Sequence, residues 1–178
     1  MKLEQFRKSD TEEVIKLFTD VFADSEGESE GQIIGNLVSE LIATTEPEDL
    51  IGFIAIDDDR IVASIFFSRL NVPKGQLAFI LSPVAVCTSL QGTGIGQKII
   101  KFGLDHLKSL QVNLAFTYGD PNYYSKVGFC HINETAVEAP QPLSQPQGWL
   151  AQSLNGDPIP SMEGKTICVA ALDDPKYW

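Results

Sequence analysis

The feature that most constrains the fold of this chain is a glycine-rich turn that joins a β-rich run directly to an amphipathic helix. A hydrophobic run ends at residues 84–86, the turn QGTGIG occupies residues 91–96, and apolar residues then recur at helical spacing as far as Leu110. The first turn of a helix has unpaired backbone N–H groups and a positive dipole end, and glycines let a ligand approach them closely. The turn therefore predicts a binding site for a phosphate or a pyrophosphate.

The spacing of the glycines separates three phosphate-binding motifs. A dinucleotide fingerprint, G-x-G-x-x-G, needs a third glycine where this chain has Gln97. A P-loop needs Lys and then Ser or Thr directly after its last glycine, whereas Gly96 is followed by Gln97 and Lys98. The remaining pattern is Q-x-x-G-x-G, formed by Gln91, Gly94 and Gly96.

The run before the turn contains a proline that predicts an irregular strand. Pro83 lies within residues 76–86 and has no backbone N–H to donate to a neighbouring strand, so we expect a bulge near residues 82–84. A buried strand at residues 112–118 follows the helix. This succession of strand, glycine turn, helix and strand predicts a parallel crossover.

Two amphipathic helices and a hairpin are predicted in the first half of the chain. Apolar residues recur at three- and four-residue spacing from Val14 to Phe22 and again over residues 33–42, and we expect the acidic stretch at residues 23–31 to end the first helix. Two β-rich runs with the loop DDDR between them indicate an antiparallel hairpin. The predicted strands cover residues 3–7, 50–56, 61–70, 76–86, 112–118, 131–137, 149–154 and 166–172.

These elements indicate an α/β (α+β) fold, with a mixed, mostly antiparallel central sheet and flanking helices. The chain has 178 residues, of which 43% are hydrophobic, so we predict a single domain over residues 1–178 with an irregular, loop-rich insertion at residues 139–164. Its 3 cysteines are widely spaced and it has 2 histidines, a combination that indicates neither a disulfide framework nor a metal site.

The charge balance disfavours several classes of partner. The chain has 13 Lys+Arg and 24 Asp+Glu, a formal net charge of −11, which argues against nucleic-acid binding and favours neutral or cationic substrates. No apolar run is long enough for a membrane span, and the N-terminus lacks the apolar core of a secretory signal. We therefore expect a soluble, cytoplasmic protein with no membrane partner, as a monomer or a homodimer.

Two motifs in the chain give it a resemblance to a known family. The pattern at residues 91–96 resembles the acetyl-CoA-binding motif [RQ]-x-x-G-x-[GA] of the GNAT superfamily of acyl-CoA-dependent N-acyltransferases. Further along, YSKVGF at residues 124–129 resembles the Y-x-x-x-G-F element of that family. The two motifs in this order are specific, and the order of elements agrees with the family as far as residue 138.

The resemblance implies a site for acetyl-CoA where the fourth and fifth strands splay apart. The pantetheine arm would pair with the backbone of residues 84–86, and the pyrophosphate would bind the amides of residues 91–97, with Lys98 and Lys101 offsetting its charge. Asn122 would contact the cofactor near its thiol. The residues expected to bind the cofactor are Val84, Ala85, Val86, Gln91, Gly92, Thr93, Gly94, Ile95, Gly96, Gln97, Asn122 and Tyr124.

The resemblance also implies direct transfer of an acetyl group from acetyl-CoA to a primary amine of a small molecule or a polypeptide, without a metal. The backbone N–H of Val86 would polarise the thioester carbonyl, and Tyr124 would protonate the leaving thiolate. The third predicted β-run carries no acidic residue, so the general base stays open. The glutamates to test first are Glu40, Glu46 and Glu48.

Two other functions remain open from the sequence. The chain could be a non-catalytic acyl-CoA-binding or sensory module, because a fold does not fix an activity. It could also be a nucleotide-binding protein, which would bind ATP or NAD in preference to CoA. Thioester consumption with candidate amines tests the first alternative, and competition binding tests the second.

Overall fold

The computed structural model describes all 178 residues and confirms the predicted mixed α/β fold. The strands are β1 (Lys2–Gln5), β2 (Leu50–Asp57), β3 (Arg60–Asn71), β4 (Ala78–Val86), β5 (Leu114–Tyr118), β6 (Cys130–His131), β7 (Trp149–Ser153) and β8 (Ile167–Cys168). The α-helices are α1 (Thr11–Glu26), α2 (Glu28–Thr44), α3 (Ile95–Ser109) and α4 (Pro121–Tyr124). None of these helices is both long and apolar enough to cross a membrane.

The strands are hydrogen-bonded in the order β1-β2-β3-β4-β5-β7-β6, and β8 pairs with β3. The β4–β5 pair is parallel, as the predicted crossover through α3 requires, whereas β1–β2, β5–β7, β6–β7 and β3–β8 are antiparallel. The sheet is therefore mixed and mostly antiparallel.

The contacts of the chain group into two compact units. The first unit consists of Met1–Phe67 and Pro83–Gly103, and the second of Ser68–Ser82 and Leu104–Trp178. The first unit contains α1, α2 and the glycine turn, and the second contains β5, α4 and the C-terminal strands. The single domain over residues 1–178 stays a prediction.

In the first unit, α1 and α2 form a closely packed helix pair joined by a single residue. As predicted, the first helix ends within the acidic stretch at residues 23–31, because α1 ends at Glu26 and Gly27, at φ +101°, breaks it. The rest of the stretch was not expected to be helical, but α2 already begins at Glu28, ahead of the apolar pattern at residues 33–42. A Cβ at Gly31 would lie 2.6 Å from the backbone oxygen of Thr19. The exposed acidic residues therefore belong to two helices whose small residues let the backbones approach.

The β2–β3 hairpin confirms the turn that DDDR predicts. Asp58 and Asp59 have φ values of 47° and 58°, the left-handed pair that a two-residue hairpin loop of type I′ needs. On the same unit, Phe53 packs edge-on against Phe67 at 6.2 Å and against Phe102 of α3 at 5.5 Å. This aromatic cluster holds α3 on the strands.

In the second unit, an aromatic stack packs β5, β7 and the C-terminus together, and the C-terminal strands are shorter than predicted. The Phe116 and Trp149 rings stack at 5.2 Å, and Trp178 donates through Nε1 to the carbonyl of Leu172 at 2.9 Å. The strand predicted at residues 131–137 shrinks to β6. The strand predicted at residues 166–172 becomes β8 followed by a 3-10 turn, which buries Leu172 without a strand partner.

Candidate active site

The backbone of β4 changes phase before it reaches the glycine turn. Thr117 Oγ1, on β5, donates to the carbonyl of Leu81 at 2.9 Å, so this carbonyl faces β5. In a regular strand the backbone groups of successive residues point to alternate edges, so Cys87, six residues after Leu81, should also face β5. Instead, the N–H of Cys87 donates to the carbonyl of Val62 on β3 at 2.8 Å. The alternation therefore shifts by one residue between these two positions, as at a β-bulge, in agreement with the irregularity predicted at Pro83.

The pairing of β4 with β5 also ends before β4 does. The register runs from Ala78↔Leu114 to Leu81↔Thr117, while β4 continues to Val86. Because the N–H of Cys87 turns towards β3, the N–H group of the neighbouring Val86 turns away from β3. The end of β4 thus has a backbone donor on its other edge.

Two side-chain hydrogen bonds hold the connection between β4 and α3. After a 3-10 turn at Thr88–Leu90, Gln91 Nε2 donates to the carbonyl of Val86 at 3.1 Å. Thr93 Oγ1 donates to the carbonyl of Leu90 at 2.7 Å. The loop is therefore tied back onto itself, and residues 91–93 remain exposed to solvent.

The glycine turn is open where side chains would otherwise stand. Gly92 and Gly94 have φ values of 77° and 88°, and a Cβ built on either would have no atom within 4 Å. The first N–H that α3 pairs internally is that of Lys98, which donates to the carbonyl of Gly94 at 3.1 Å, so residues 94–97 keep N–H groups without a partner inside the helix. Open space and unpaired N–H donors at a positive helix end are what a pyrophosphate requires.

The second predicted motif surrounds α4, in the other unit. Asp120 caps this helix, because its Oδ1 accepts a hydrogen bond from the N–H of Asn122 at 2.9 Å. The ring of Tyr124 packs edge-on against Tyr123 at 5.0 Å and against Phe129 at 5.9 Å. The buried Phe129 thus anchors the tyrosine that the motif places ahead of it.

Near α4, other atoms of the protein occupy the space where the side chains of two glycines would stand. A Cβ at Gly119 would lie 2.6 Å from the ring of Tyr124. Gly128 ends the 3-10 turn Ser125–Val127 at φ +96°, where a Cβ would lie 3.0 Å from Oε1 of Gln152. The glycine of Y-x-x-x-G-F is therefore a helix-ending residue in a left-handed conformation.

The surroundings of Tyr124 favour its protonated form. Burial is the main cause that raises the pKa of Tyr124 above its usual value, and the charges of Tyr123 and Asp120 act in the same direction, while a hydrogen bond with Thr117 opposes them. At neutral pH the phenol therefore keeps its proton and can donate a hydrogen bond.

The predicted cofactor residues divide between the two units. The first unit holds those at the end of β4 and at the turn, namely Val84, Ala85, Val86, Gln91, Gly92, Thr93, Gly94, Ile95, Gly96 and Gln97. Ala85 and Ile95 point into the core, so they can offer a ligand only their backbone. The second unit holds Tyr124, half-buried, and Asn122, whose side chain is exposed.

The three candidate glutamates are exposed and lie around the C-terminal end of α2. Glu46 and Glu48 precede β2, whose eight residues span about 25 Å. The other end of β2 is the hairpin that leads to Val62, which pairs with Cys87. This geometry gives Glu46 and Glu48 no support as bases for a reaction at the end of β4.

Thr117 was not predicted as part of the site. Its hydroxyl bonds to the carbonyl of Leu81 at the last paired residue of β4 and also neighbours the hydroxyl of Tyr124. The one indication of its role in the sequence is that it is a hydroxyl residue within the apolar run LAFTY. Nothing in the spacing of residues 114–118 indicated what this hydroxyl contacts.

Comparison with known proteins identifies relatives of this chain in sequence. A family model described as an acetyltransferase (GNAT) domain matches residues 2–132. The chain is 30% identical over 126 residues to an uncharacterized N-acetyltransferase, YjhQ, of Escherichia coli strain K12. That alignment covers 66% of this chain and 68% of YjhQ.

Solved structures share the fold. A GNAT family N-acetyltransferase of Escherichia coli, YhbS, in complex with CoA, has a TM-score of 0.82 at 20% identity, covering 97% of this chain and 92% of that one. A GNAT family acetyltransferase from Brucella melitensis, in complex with acetyl-CoA, has a TM-score of 0.75 at 23% identity, covering 97% of each chain. At these identities the similarity concerns the fold.

Proposed function

The chain belongs to the GNAT acetyltransferase family and is an acyltransferase, and we propose that it transfers an acetyl group from acetyl-CoA to a primary amine of a small molecule or a polypeptide. One observation carries the proposal: the start of α3 keeps backbone N–H groups without a helical partner, directly beside the open glycine turn that follows β4. The complexes of the two structural relatives with CoA and acetyl-CoA support it. The cytoplasmic location and the monomeric or homodimeric state remain predictions.

In this proposal the backbone of the first unit binds the cofactor. The backbone of Val84 and the N–H of Val86, which turns away from β3, pair with the pantetheine arm. The N–H groups of residues 92–97 bind the pyrophosphate, for which the space at the two glycines is open, whereas the N–H of Gln91 donates to the carbonyl of Thr88 at 3.4 Å. Lys98 and Lys101 are exposed on the first turns of α3 and offset the phosphate charge.

The proposed reaction forms a bond between the amine nitrogen and the acyl carbon and breaks the bond between that carbon and sulfur. Acetyl-CoA supplies the activated acyl group. An amine that arrives as an ammonium loses two protons, of which one ends on the sulfur and one in solvent. The N–H of Val86 polarises the carbonyl, and one such donor contributes about 3–4 kcal/mol to a reaction of this type.

Tyr124 assists the departure of the sulfur. An unperturbed thiol is a stronger acid than a phenol, so a full proton transfer from tyrosine to thiolate is uphill. The raised pKa of Tyr124 makes this proton transfer still less favourable. Tyr124 therefore acts mainly by donating a hydrogen bond to the sulfur while the C–S bond breaks.

The turn is tested by comparing Gly94→Glu with Gly75→Glu. Both glycines have positive φ and open space at the Cβ position, so both variants suffer the same backbone strain and gain the same charge. Acetyl-CoA at about 100 times its Kd stabilises a protein by ~2.7 kcal/mol, so the melting temperatures of the wild type and of Gly75→Glu should rise with the ligand. Gly94→Glu should show no rise, and an equal rise would contradict the assignment of the turn.

Two further measurements separate the proposal from its alternatives. Displacement of CoA by ATP or NAD would indicate a nucleotide-binding protein. Release of free thiol from acetyl-CoA in the presence of amines is expected for the transferase. Binding of acetyl-CoA without thiol release from any amine would indicate a sensory module.

A further inference from the structure

A cavity of about 580 Å³ lies in the second unit, beside the capped start of α4. Its volume falls in the range of small-molecule sites. The wall joins the β5–α4 connection to the loop that precedes β7, and its polar side chains are Tyr118, Asp120, Asn122, Ser144, Gln145 and Gln147. The loop belongs to the region 139–164, for which the sequence indicated no role.

Hydrogen bonds and ring packing fix this wall. The hydroxyl of Tyr118 lies 3.0 Å from Oγ of Ser144 and accepts a hydrogen bond from the N–H of Gln145 at 2.8 Å. The ring of Tyr118 stacks on Trp178 at 5.9 Å. The loop is thus attached to Tyr118 of β5, whose ring is itself packed on the C-terminal residue, so the polar groups of the loop are held in place when a ligand arrives.

Glycines bring the two sides of the wall together. The N–H of Gly119 donates to the carbonyl of Gly148 at 3.0 Å, and a Cβ at Gly148 would lie 2.9 Å from the carbonyl oxygen of Gly119. Any side chain at Gly148 would push the loop away from the β5–α4 connection. The cavity therefore depends on this close backbone contact.

Asp120 supplies the only formal charge among the residues that line the cavity. One carboxylate oxygen, Oδ1, accepts the capping hydrogen bond from Asn122, and Oδ2 makes no hydrogen bond or ion pair with the protein. The other polar groups of the wall are amides and hydroxyls. A carboxylate among neutral hydrogen-bonding groups suits a cation that carries polar atoms of its own.

The cavity adjoins the residues that the proposed function places near the thioester. The charge of Asp120 is close enough to Tyr124 to help raise the pKa of that phenol. Asn122, proposed to contact the cofactor near its thiol, is itself part of the wall. A ligand in the cavity therefore lies beside Asn122, at the start of the helix that carries Tyr124.

We propose that this cavity binds the amine acceptor, and that the acceptor is a primary amine with hydroxyl or amide groups whose ammonium pairs with Oδ2 of Asp120. The inference rests on the proposed acetyl transfer and makes Asp120 the residue that selects cationic acceptors. The pairing holds the ammonium until it releases one proton to solvent, after which the neutral amine attacks the acyl carbon.

The experiment measures amine binding to the CoA-bound protein by ligand-observed NMR, because CoA without an acyl group permits no turnover. The probes are glucosamine with glucose as its neutral counterpart, and alaninamide with lactamide. We expect each amine to bind at least about tenfold more tightly than its neutral counterpart, and Asp120→Asn to remove this preference. Asparagine keeps the capping oxygen, so α4 should remain folded.

Asp174→Asn is the matched control. Asp174 also precedes a proline, and its carboxylate accepts the N–H of Lys176 at 3.0 Å in the same capping arrangement, outside the cavity. This variant should bind the amines as the wild type does. A second variant, Gln147→Trp, should fill the cavity and weaken both amines without changing the affinity for CoA.

Three results would overturn the inference. Equal amine affinity in Asp120→Asn and the wild type would show that the carboxylate does not select the acceptor. A change of CoA affinity in Gln147→Trp would assign the cavity to the cofactor. Failure of both amines to bind at about 10 mM would remove the acceptor class. A separate CoA titration distinguishes failure of the inference from failure of the proposed function. If CoA binds but the amines do not behave as expected, only the inference is wrong. If CoA itself does not bind, the proposed function is wrong.

Discussion

Glycines serve opposite purposes in the turn before α3 and in the region around α4. At Gly92 and Gly94 a Cβ would meet no atom within 4 Å, whereas at Gly119 and Gly148 it would lie 2.6 Å and 2.9 Å from the protein's own atoms. The first pair leaves space that the protein does not fill. The second pair is needed because the protein fills the space completely, so the absence of a side chain indicates a ligand site only where the surroundings are empty.

The two regions also differ in the groups they present. The turn offers backbone N–H groups, which every residue except proline carries, and only its shape and its glycines distinguish it. The α4 region offers particular side chains, the phenol of Tyr124 and the carboxylate of Asp120. Substitutions in the turn should therefore act on cofactor binding, and substitutions near α4 on turnover and acceptor choice.

Among the variants that distinguish the α4 region from the glycine turn, Tyr124→Phe should have the largest effect, which is on turnover. Loss of the phenolic donor should lower kcat by about 100-fold, the usual scale of a positioned acid, with the Kd of acetyl-CoA within about twofold of the wild type. Tyr123→Phe is the control, because its ring packs against Tyr124 but the proposed chemistry does not use its hydroxyl. Steady-state kinetics and a CoA titration check both variants, and an unchanged kcat in Tyr124→Phe would remove its role.

Gly119→Ala should mainly lower the stability of the protein, and Gly92→Ala should mainly lower its affinity for acetyl-CoA. At Gly119 the new methyl group meets the ring of Tyr124, and overpacking of this kind costs about 1–3 kcal/mol of unfolding free energy. At Gly92 the space is open and the cost is the left-handed backbone, about 1 kcal/mol.

Urea unfolding and acetyl-CoA titration measure the two effects of these variants. Gly119→Ala should lose stability and turnover while it still binds acetyl-CoA, and Gly92→Ala should lose more affinity than stability. If the alanine at Gly92 destabilised the protein more than the alanine at Gly119, the contrast between empty and filled space would be wrong.

The sequence predicted the parts of the molecule that local chemistry determines. The motif Q-x-x-G-x-G located the open turn, DDDR predicted the β2–β3 hairpin, and the crossover through α3 predicted the parallel pair β4–β5. The turn and the hairpin depend on residues that are close together in the chain, and the parallel pair follows from the order of consecutive elements. The family assignment followed from two such local motifs and was confirmed by comparison.

What the sequence did not reveal depends on contacts between distant segments. The second helix begins early, at Glu28, where α1 and α2 approach closely around Gly31. Of the residues 166–172, only Ile167 and Cys168 form a strand, and Ala170–Leu172 form a 3-10 turn in which the Leu172 carbonyl accepts a hydrogen bond from Trp178. The polar wall opposite Asp120 comes from a loop whose Pro/Gln composition carries no motif. The hydrogen bonds of Tyr118 and the backbone contact between Gly119 and Gly148 bring that loop to the site.

The smallest expected effect concerns alkaline pH and tests whether the α4 region is as dry as its packing indicates. The pKa of Tyr124 is raised in the folded protein, so the folded state holds its proton after the unfolded chain has lost it. Below pH ~10, the usual pKa of tyrosine, this stabilisation is fully present, and it declines as the pH rises from there towards the folded pKa, by at most about 1.4 kcal/mol per pH unit.

The wild type should therefore lose stability more steeply between pH ~9.5 and ~11 than Tyr124→Phe, which has no phenolic proton to lose. Urea unfolding of both proteins across this range measures the difference, and the tyrosines other than Tyr123, whose charge acts on Tyr124, contribute equally to the two curves. Parallel curves would mean that water reaches the phenol freely, and the α4 region would then resemble the open turn rather than contrast with it.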